Sequence, residues 1–404
     1  MAARDFDLVL WGATGFTGRL VAEHLAAHYG HGHQLRWAIG GRSRDKLETL
    51  AAALADDSGT PALVTGDSDD ADSMAALAAR TRVVCSTVGP YARHGTPLVA
   101  ACADAGTHYC DLTGEVPWMA TTIEQFGDRA AASGARIVHS CGFDSVPSDL
   151  GTWFVQREML SRHGVAGRRV HGRVGRSRGG ASGGTVASLL GVMEAARRDR
   201  RIRRLLSDPY SLNPPGAPRG PDRDDSLRPY YDPVFRQWTG PFVMAAINTR
   251  VVRRSNALLA FPWGEDFAYD ERQLCRSRAQ ATLLAGAIGG AMAAMAVGPT
   301  RRLAGHFLPS PGEGPDAEER QNGFFELFLH AQHPEDPSLD LRARVSGDRD
   351  PGYGATSRML GEAAASLALD DLPVRGGIWT PATAFGDALL ARLHDRAGLR
   401  FELV

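Results

Sequence analysis

A chain of 404 residues with 43% hydrophobic and 23% charged side chains has room for two or three domains with real cores, which excludes a disordered or fibrous polymer. Its 45 basic and 46 acidic residues leave a net charge of -1, so no wholesale attraction to nucleic acid or to an anionic membrane is expected. A single lysine, Lys46, excludes a Walker-type phosphate loop, a Tyr-x-x-x-Lys dyad or a Schiff-base lysine elsewhere in the chain.

Up to Ser145 the sequence alternates strand and helix patterns, as a parallel α/β sheet requires. Phe6 to Trp11 is a buried first strand, followed by a helix from about Gly18 to Tyr29 that Gly30 stops. Leu35 to Gly40 is the second strand, and Ser43 is placed to cap the next helix, with Leu47, Leu50, Ala51 and Leu54 at helical spacing. Pro61 to Gly66, Arg82 to Val88, His108 to Leu112 and Arg136 to His139 supply further strands. Beyond Ser145, residues 168–176 suggest a strand and residues 183–206 one long helix that begins apolar and ends basic. The Pro-rich stretch from Pro209 to Pro233 is expected to be a long loop or lid. Residues 324–329 and 339–345 read as strands, the second with the alternation of an antiparallel sheet that has one wet face. Helical patterns return near 356–369 and 381–397. The uncharged run 281–298 is rich in Ala and Gly, and a packed internal or subunit-interface helix is preferred there over membrane contact.

Five cysteines, Cys85, Cys102, Cys110, Cys141 and Cys275, show no CxxC pairing, and a reduced cytoplasmic setting is expected. Arg4, Asp5 and Asp7 stand where a signal peptide would place its apolar core. His28, His31 and His33 lack the neighbouring carboxylates or thiols of a metal site, so none is expected.

The segment Gly12-Ala13-Thr14-Gly15-Phe16-Thr17-Gly18 joins the first strand to the first helix. Glycine is needed there for the tight turn, for backbone approach to a pyrophosphate and for close helix packing, so dinucleotide binding is expected. An NAD site usually ends strand two with an acid that binds the ribose 2′-hydroxyl. This chain has Arg42 and Ser43 instead, with Lys46 one turn on, which suits the 2′-phosphate of NADP(H). Ser86, Thr87, Val88, Gly89, Pro90 and Tyr91 leave the fourth strand where the nicotinamide half should lie. A second glycine-rich helix start contributes Ser182, Gly183 and Thr185 as candidate substrate ligands, or else forms a tight packing turn.

GATGFTGRL, GRSRDKL, VVCSTVGPYARHG, THYCDLTGE and HSCGFDSVPSDLG, in this order and spacing, resemble the saccharopine dehydrogenase-like oxidoreductases, and within them the actinobacterial trans-acting enoyl reductases. Segments 179–185, 308–315 and 350–360 extend the resemblance over nearly the whole chain. It implies a Rossmann-type doubly wound parallel sheet over residues 1–146, completed by C-terminal helices in 355–404. It also implies an α+β substrate or oligomerisation domain over 147–354 with a largely antiparallel or mixed sheet. The implied activity is NADPH-dependent reduction of a C=C bond in an acyl or polyketide thioester, in trans to a synthase. The alternatives are an imine or amino-acid oxidoreductase and a non-catalytic NADP-binding scaffold at a lipid surface. The family's amino-acid enzymes use a lysine near the nicotinamide, which this chain lacks.

Enoyl reduction needs a donor for the thioester oxygen and a proton for the α-carbon. Tyr91 is the first candidate and His94 the second. Asp144 is placed to bind substrate or nicotinamide ribose, Asp149 to cap a helix, and Asp111 and Glu115 share the ambiguity between chemistry and structure. The basic run Arg197 to Arg204 is a candidate docking face for an acidic acyl carrier protein, and a homodimer is left open.

Overall fold

The computed structural model describes residues 4–32, 34–179, 183–223, 227–296 and 316–404. Alternate residues of the first strand face opposite sides, Leu8 and Leu10 one way and Val9 and Trp11 the other, and all four are buried. A strand apolar on both faces demands a sheet covered on both faces.

That sheet contains β1 (Phe6–Trp11), β2 (Trp37–Gly41), β3 (Ala62–Thr65), β4 (Thr81–Ser86), β5 (His108–Asp111) and β6 (Arg136–Val138). They lie in the order β3-β2-β1-β4-β5-β6, every pair parallel. Helices α1 (Phe16–Tyr29), α2 (Arg44–Ala53), α3 (Ala71–Arg80), α4 (Tyr91–His94), α5 (Thr96–Ala105) and α6 (Val116–Ser133) connect the strands. The expected strands all form, with ends shifted by one or two residues.

Helix α7 (Val146–His163) carries the chain from this sheet to a second one and packs beneath it; a Cβ on Gly151 would meet Leu329 Cδ1 at 2.5 Å. The second sheet is built from β7 (Arg169–Arg178), β8 (Tyr230–Asp232), β9 (Gln237–Pro241), β10 (Ala268–Cys275), β11 (Phe324–Gln332) and β12 (Leu341–Gly347). Its β7–β10 pair is parallel and the other pairs are antiparallel, so it is mixed. Between these strands run α8 (Gly183–Arg198), α9 (Arg200–Ser207), α10 (Ala245–Leu258), α11 (Arg278–Ala296) and α12 (Ala317–Gln321). Then follow α13 (Thr356–Leu369), β13 (Gly377–Trp379), α14 (Pro381–Phe385), α15 (Asp387–Arg396) and β14 (Leu399–Leu403).

Several expectations need correction. The helix expected over 183–206 is two, because Asp199 ends α8 and its carboxylate accepts from Arg201 N to start α9. The pattern over 381–397 breaks at Gly386, whose φ of +49° interrupts helical geometry. Leu339 lies in a 3-10 turn outside β12. The C-terminal segment serves both sheets: α13 crosses β1, β4 and β5 and β13 pairs with β6, but β14 pairs with β12. Helix α10 lies outside the predicted elements; its Arg250, Arg253 and Arg254 are all buried, although arginine mostly stays at the surface. Carbonyl oxygens satisfy them, such as Ile378 O for Arg254 at 2.7 Å, and Arg253 also pairs with the Asp222 carboxylate at 2.8 Å. Among the described residues no helix is long and apolar enough to cross a membrane. Helix α11 packs on β9 and α8, and residues 297–298 of the uncharged run lie outside the described set.

A buried polar network fastens α13 to α1. Glu362 accepts from Tyr29 Oη at 2.6 Å and pairs with His24 Nε2 at 2.8 Å, while Arg392 donates to Tyr29 Oη at 2.9 Å. Burial pushes the Glu362 carboxyl up, but these bonds and Arg392 hold it below its ordinary value. Replacing Glu362 by alanine strands His24 and the tyrosine hydroxyl, and about 2–4 kcal/mol of unfolding free energy should be lost. Urea denaturation at neutral pH measures this; a loss under about 0.5 kcal/mol would show that the network is dispensable.

Candidate functional site

The glycine turn is shaped by contact. Gly12 has φ +88°, and a Cβ there would meet Val88 Cγ2 at 2.6 Å; a Cβ on Gly18 would meet the Gly12 carbonyl oxygen at 2.2 Å. Thr87 pins the end of β4 to this turn, its hydroxyl donating to Gly12 O at 3.1 Å and its N–H to Trp11 O at 2.9 Å. No side chain caps the N-terminus of α1, where Gly15 is the N-cap, so the N–H groups of its first turn remain available to a phosphate. This cradle, too crowded for a Cβ at Gly12 or Gly18 and edged with backbone N–H groups, fits a dinucleotide pyrophosphate. Thr14 and Thr17 lie partly open on it, while the Phe16 ring turns away to pack edge-on against Tyr353, centroids 5.1 Å apart.

At the strand-two exit, Arg42 and Lys46 are exposed and their side chains have no hydrogen bond or ion pair among the described residues. Ser43 Oγ accepts from Lys46 N at 3.5 Å, so it caps α2. The exit of β2 has a floor that the sequence did not disclose. The Trp11 ring lies where a Gly40 Cβ would be, 2.6 Å from that position, and its Nε1 donates to Ser68 Oγ at 3.0 Å.

At the other end, the structure turns the first two candidates for chemistry away. Tyr91 is 4% exposed; its hydroxyl donates to Ser86 O at 3.0 Å and its ring stacks on Trp118. Burial, then the Asp111 charge, drives its pKa well above the ordinary value, so it is a poor proton donor. His94 points to the opposite side, with Nδ1 2.7 Å from Asp69 Oδ1 in the turn after β3. Ser86 Oγ accepts from Val88 N at 3.4 Å, so both it and Thr87 shape the loop. The Gly89–Pro90 peptide is cis.

Glu115 accepts from Tyr91 N and Ala92 N, each at 2.9 Å, and from Ser188 Oγ of α8 at 2.7 Å. It therefore clamps α4 and straps α8 over the loop after β4. Asp111 is buried and spent on His139 Nδ1 at 2.8 Å and Ser140 N at 3.1 Å. Of the other glycine-rich helix start, Ser182 lies outside the described residues and Gly183 opens α8. The Thr185 side chain is likewise outside the described set. Gly179, just before it, packs tightly: a Cβ there would meet Pro351 Cδ at 2.8 Å.

Asp144 and Asp149 follow the same strand end, and burial pushes both carboxyls up to about 7, for Asp144 with help from the Asp111 charge. Asp149 is fully tied, accepting from Ser255 Oγ and from Ala382 N at 2.8 Å, so it secures α14 to α7 and does not cap its own helix. Asp144 is partly open and has no hydrogen bond or ion pair among the described residues. Next to it, Ser145 Oγ donates to Asn248 Oδ1 of α10 at 3.2 Å, and the Asn248 amide nitrogen has no described partner. Met244, one turn before Asn248, lies over Gly114. The carboxyl ends of β4, β5 and β6 thus form a floor roofed by α8 and α10, with one unpaired acid and one free amide at its side. Nothing in the sequence pointed to Asn248, because its contact with Ser145 spans more than a hundred positions.

The sequence model of the saccharopine dehydrogenase NADP binding domain matches residues 8–138. A Mycobacterium tuberculosis protein provisionally named a trans-acting enoyl reductase is 43% identical over 410 residues, covering 96% of each chain. A Mycobacterium bovis protein named trans-acting enoyl reductase is 39% identical over 97% of this chain and 96% of its own. Among solved structures, apo saccharopine dehydrogenase (L-Glu forming) from Saccharomyces cerevisiae superposes with a TM-score of 0.56 at 13% identity, over 98% of this chain and 99% of that one. That last likeness is one of fold.

The raised Asp144 value has a consequence for stability. The unfolded chain gives up this proton near its ordinary value of 3.8, whereas the folded chain keeps it to about 7, so folding is penalised increasingly as pH rises between these values. Asp144→Asn should therefore raise the melting temperature at pH 8 and leave it unchanged near pH 3.5. Calorimetry at the two pH values checks this, and equal shifts at both would contradict the cause assigned.

Proposed function

Because this chain belongs to the saccharopine dehydrogenase-like oxidoreductases, in the branch of the trans-acting enoyl reductases, we propose that it is an NADP-dependent oxidoreductase that reduces the C=C bond of an α,β-unsaturated acyl or polyketide thioester. The observation that carries the reading is that Asp144, which holds its proton and has no partner among the described residues, adjoins the Ser145 that binds Asn248, whose amide nitrogen also has none among them.

NADPH, once bound, supplies the hydride that adds to the β-carbon. Asn248, oriented by Ser145, donates a hydrogen bond to the thioester oxygen as negative charge gathers there. Asp144 keeps its proton near neutrality and gives it to the α-carbon, and water from the open side of the group restores it. Ser188, bonded to Glu115, keeps α8 lowered over the reacting end and limits the entry of water.

Helix α8 also leads towards the basic patch. Arg201 and Arg198 are engaged by Glu124 and Glu194, but the side chains of Arg197, Arg200 and Arg204 are exposed and have no described partner. At ~1.5 Å per residue, Arg198 lies about 15 Å along the helix from Ser188, a span that a flexible prosthetic arm must bridge. We read this end as the docking face for an acidic acyl carrier protein, which agrees with the trans-acting name of the relatives.

The test is NADPH consumption with crotonyl and longer 2-enoyl thioesters, free and carrier-bound. Turnover is expected with both, falling as pH rises through about 7 when Asp144 loses its proton, and Asp144→Asn should lower it at least ~100-fold. Consumption with an oxo acid plus amine and none with enoyl thioesters would overturn the reading, and binding of NADPH without any turnover would mark a scaffold. Reversing charge at Arg197, Arg200 and Arg204 should impair only the carrier-bound substrate.

A further inference from the structure

Arg42 leaves β2 beside the turn after β3 that carries Asp69. The turn after β3 is held beside the exit of β2 by Gly66 N donating to Gly41 O at 3.3 Å, and Ser68 in the same turn holds the Trp11 indole at 3.0 Å. Asp69 follows Ser68. Helix α4 reaches this turn from the far side, and its His94 binds the Asp69 carboxylate at 2.7 Å.

Helix α4 has little choice of orientation. Tyr91 is sunk between Trp118 and the end of β4, and Glu115 holds the N–H groups of Tyr91 and Ala92. With Tyr91 facing inward, Arg93 and His94 are carried outward, towards the adenosine side. The Asp69 carboxyl is held below its ordinary value first by the His94 hydrogen bond, and then by the charges of His94, Arg42 and Arg93. Among the described residues His94 alone bonds to this carboxylate; Arg93 is carried beside it on α4, and Arg42 stands at the adjoining exit of β2. The guanidinium groups of Arg42 and Arg93 are exposed, and neither has a hydrogen bond or ion pair among the described residues. The other acids of this turn are turned to its backbone, Asp67 accepting from Asp69 N at 3.1 Å and Asp70 from Asp72 N at 3.0 Å. Ser43, the other strand-two candidate, is occupied in capping α2.

We propose that Arg93, from the helix after β4, is the second cation of the 2′-phosphate site, facing Arg42 across the ribose, with the Asp69–His94 pair as the strut that sets their spacing. The proposal rests on the assignment of NADP(H) to the Rossmann half. A phosphate dianion between two guanidiniums gains charge-assisted hydrogen bonds from both, and a bare 2′-hydroxyl gains little. Asp69 then has two opposing effects: it positions α4 through His94 and it opposes the incoming phosphate. Arg93 and His94 are positioned by the segment expected to serve the nicotinamide, which is why the strand-two pattern alone could not disclose them.

The experiment is equilibrium binding of NADPH and of NADH to the purified full chain, followed by nucleotide fluorescence, so no substrate is needed. Arg93→Ala should weaken NADPH roughly tenfold and change NADH less than about twofold, and Arg93→Lys should restore part of the loss. Asp69→Asn preserves a partner for His94 and removes the opposing charge, so NADPH should bind several-fold tighter with NADH unchanged. NADH affinity serves as the internal check on folding. Equal loss of both nucleotides in Arg93→Ala would place Arg93 on the adenine or the pyrophosphate and overturn the proposal, as would weaker NADPH binding in Asp69→Asn. Arg42→Ala separates the levels of the argument. If it abolishes the preference for NADPH while Arg93→Ala does not, this proposal fails and the strand-two assignment stands; if neither changes the preference, the placement of the 2′-phosphate at this end fails as well.

Discussion

The carbonyl oxygen of Gly12 lies 2.2 Å from where a side chain on Gly18 would begin, and the Val88 side chain lies 2.6 Å from where one on Gly12 would begin. Three segments, the end of β1, the start of α1 and the loop after β4, are thus packed backbone to backbone, with Thr87 hydrogen-bonding across them. Any Cβ there would push α1 off the sheet, and with it an N-terminus that no side chain caps. Cofactor placement follows from this contact. So does the position of α4, which leaves the same loop, and hence the side on which Tyr91, Arg93 and His94 come to lie.

The same stretch of chain shows how environment separates structure from chemistry. Asp144 and Asp149 are five positions apart and burial raises both to about 7. Asp149 has its oxygens committed to Ser255 and Ala382, so its role is to hold helices together. Asp144 has no such partners and keeps an open side. A perturbed carboxyl is therefore informative only with its partners counted. Tyr91 makes the converse point: it leaves the expected loop, yet its hydroxyl is bonded to the backbone at Ser86 and a shielding tryptophan lies over its ring.

The second sheet contributes little chemistry directly; it positions the roof. Helices α8 and α10, which connect its strands, bring Ser188 and Asn248 over the carboxyl ends of the parallel strands, while Glu115 and Ser145 receive them from below. The buried arginines of α10 make this placement rigid, since each finds backbone carbonyls in neighbouring segments and leaving that position would strand a buried cation.

Much of the first half was legible in the sequence, because its signals are local. Apolar runs separated by helical periodicity fix parallel strands, glycines at three-residue spacing fix the turn, and the missing acid after Gly41 fixes the preference at the ribose. The lone Lys46 was informative in the same way, confining lysine to the helix after β2 and excluding lysine-dependent chemistry elsewhere. What tertiary structure decided were pairings between distant positions. His94 was drawn to Asp69 and away from the reacting end, Asn248 was brought to Ser145 from an unforeseen helix, and the chain's last strand was handed to the other sheet. A side chain's type limits the chemistry it can perform, but its direction is set by the packing of its neighbours, and no local pattern encodes contacts made between segments from 25 to more than a hundred residues apart.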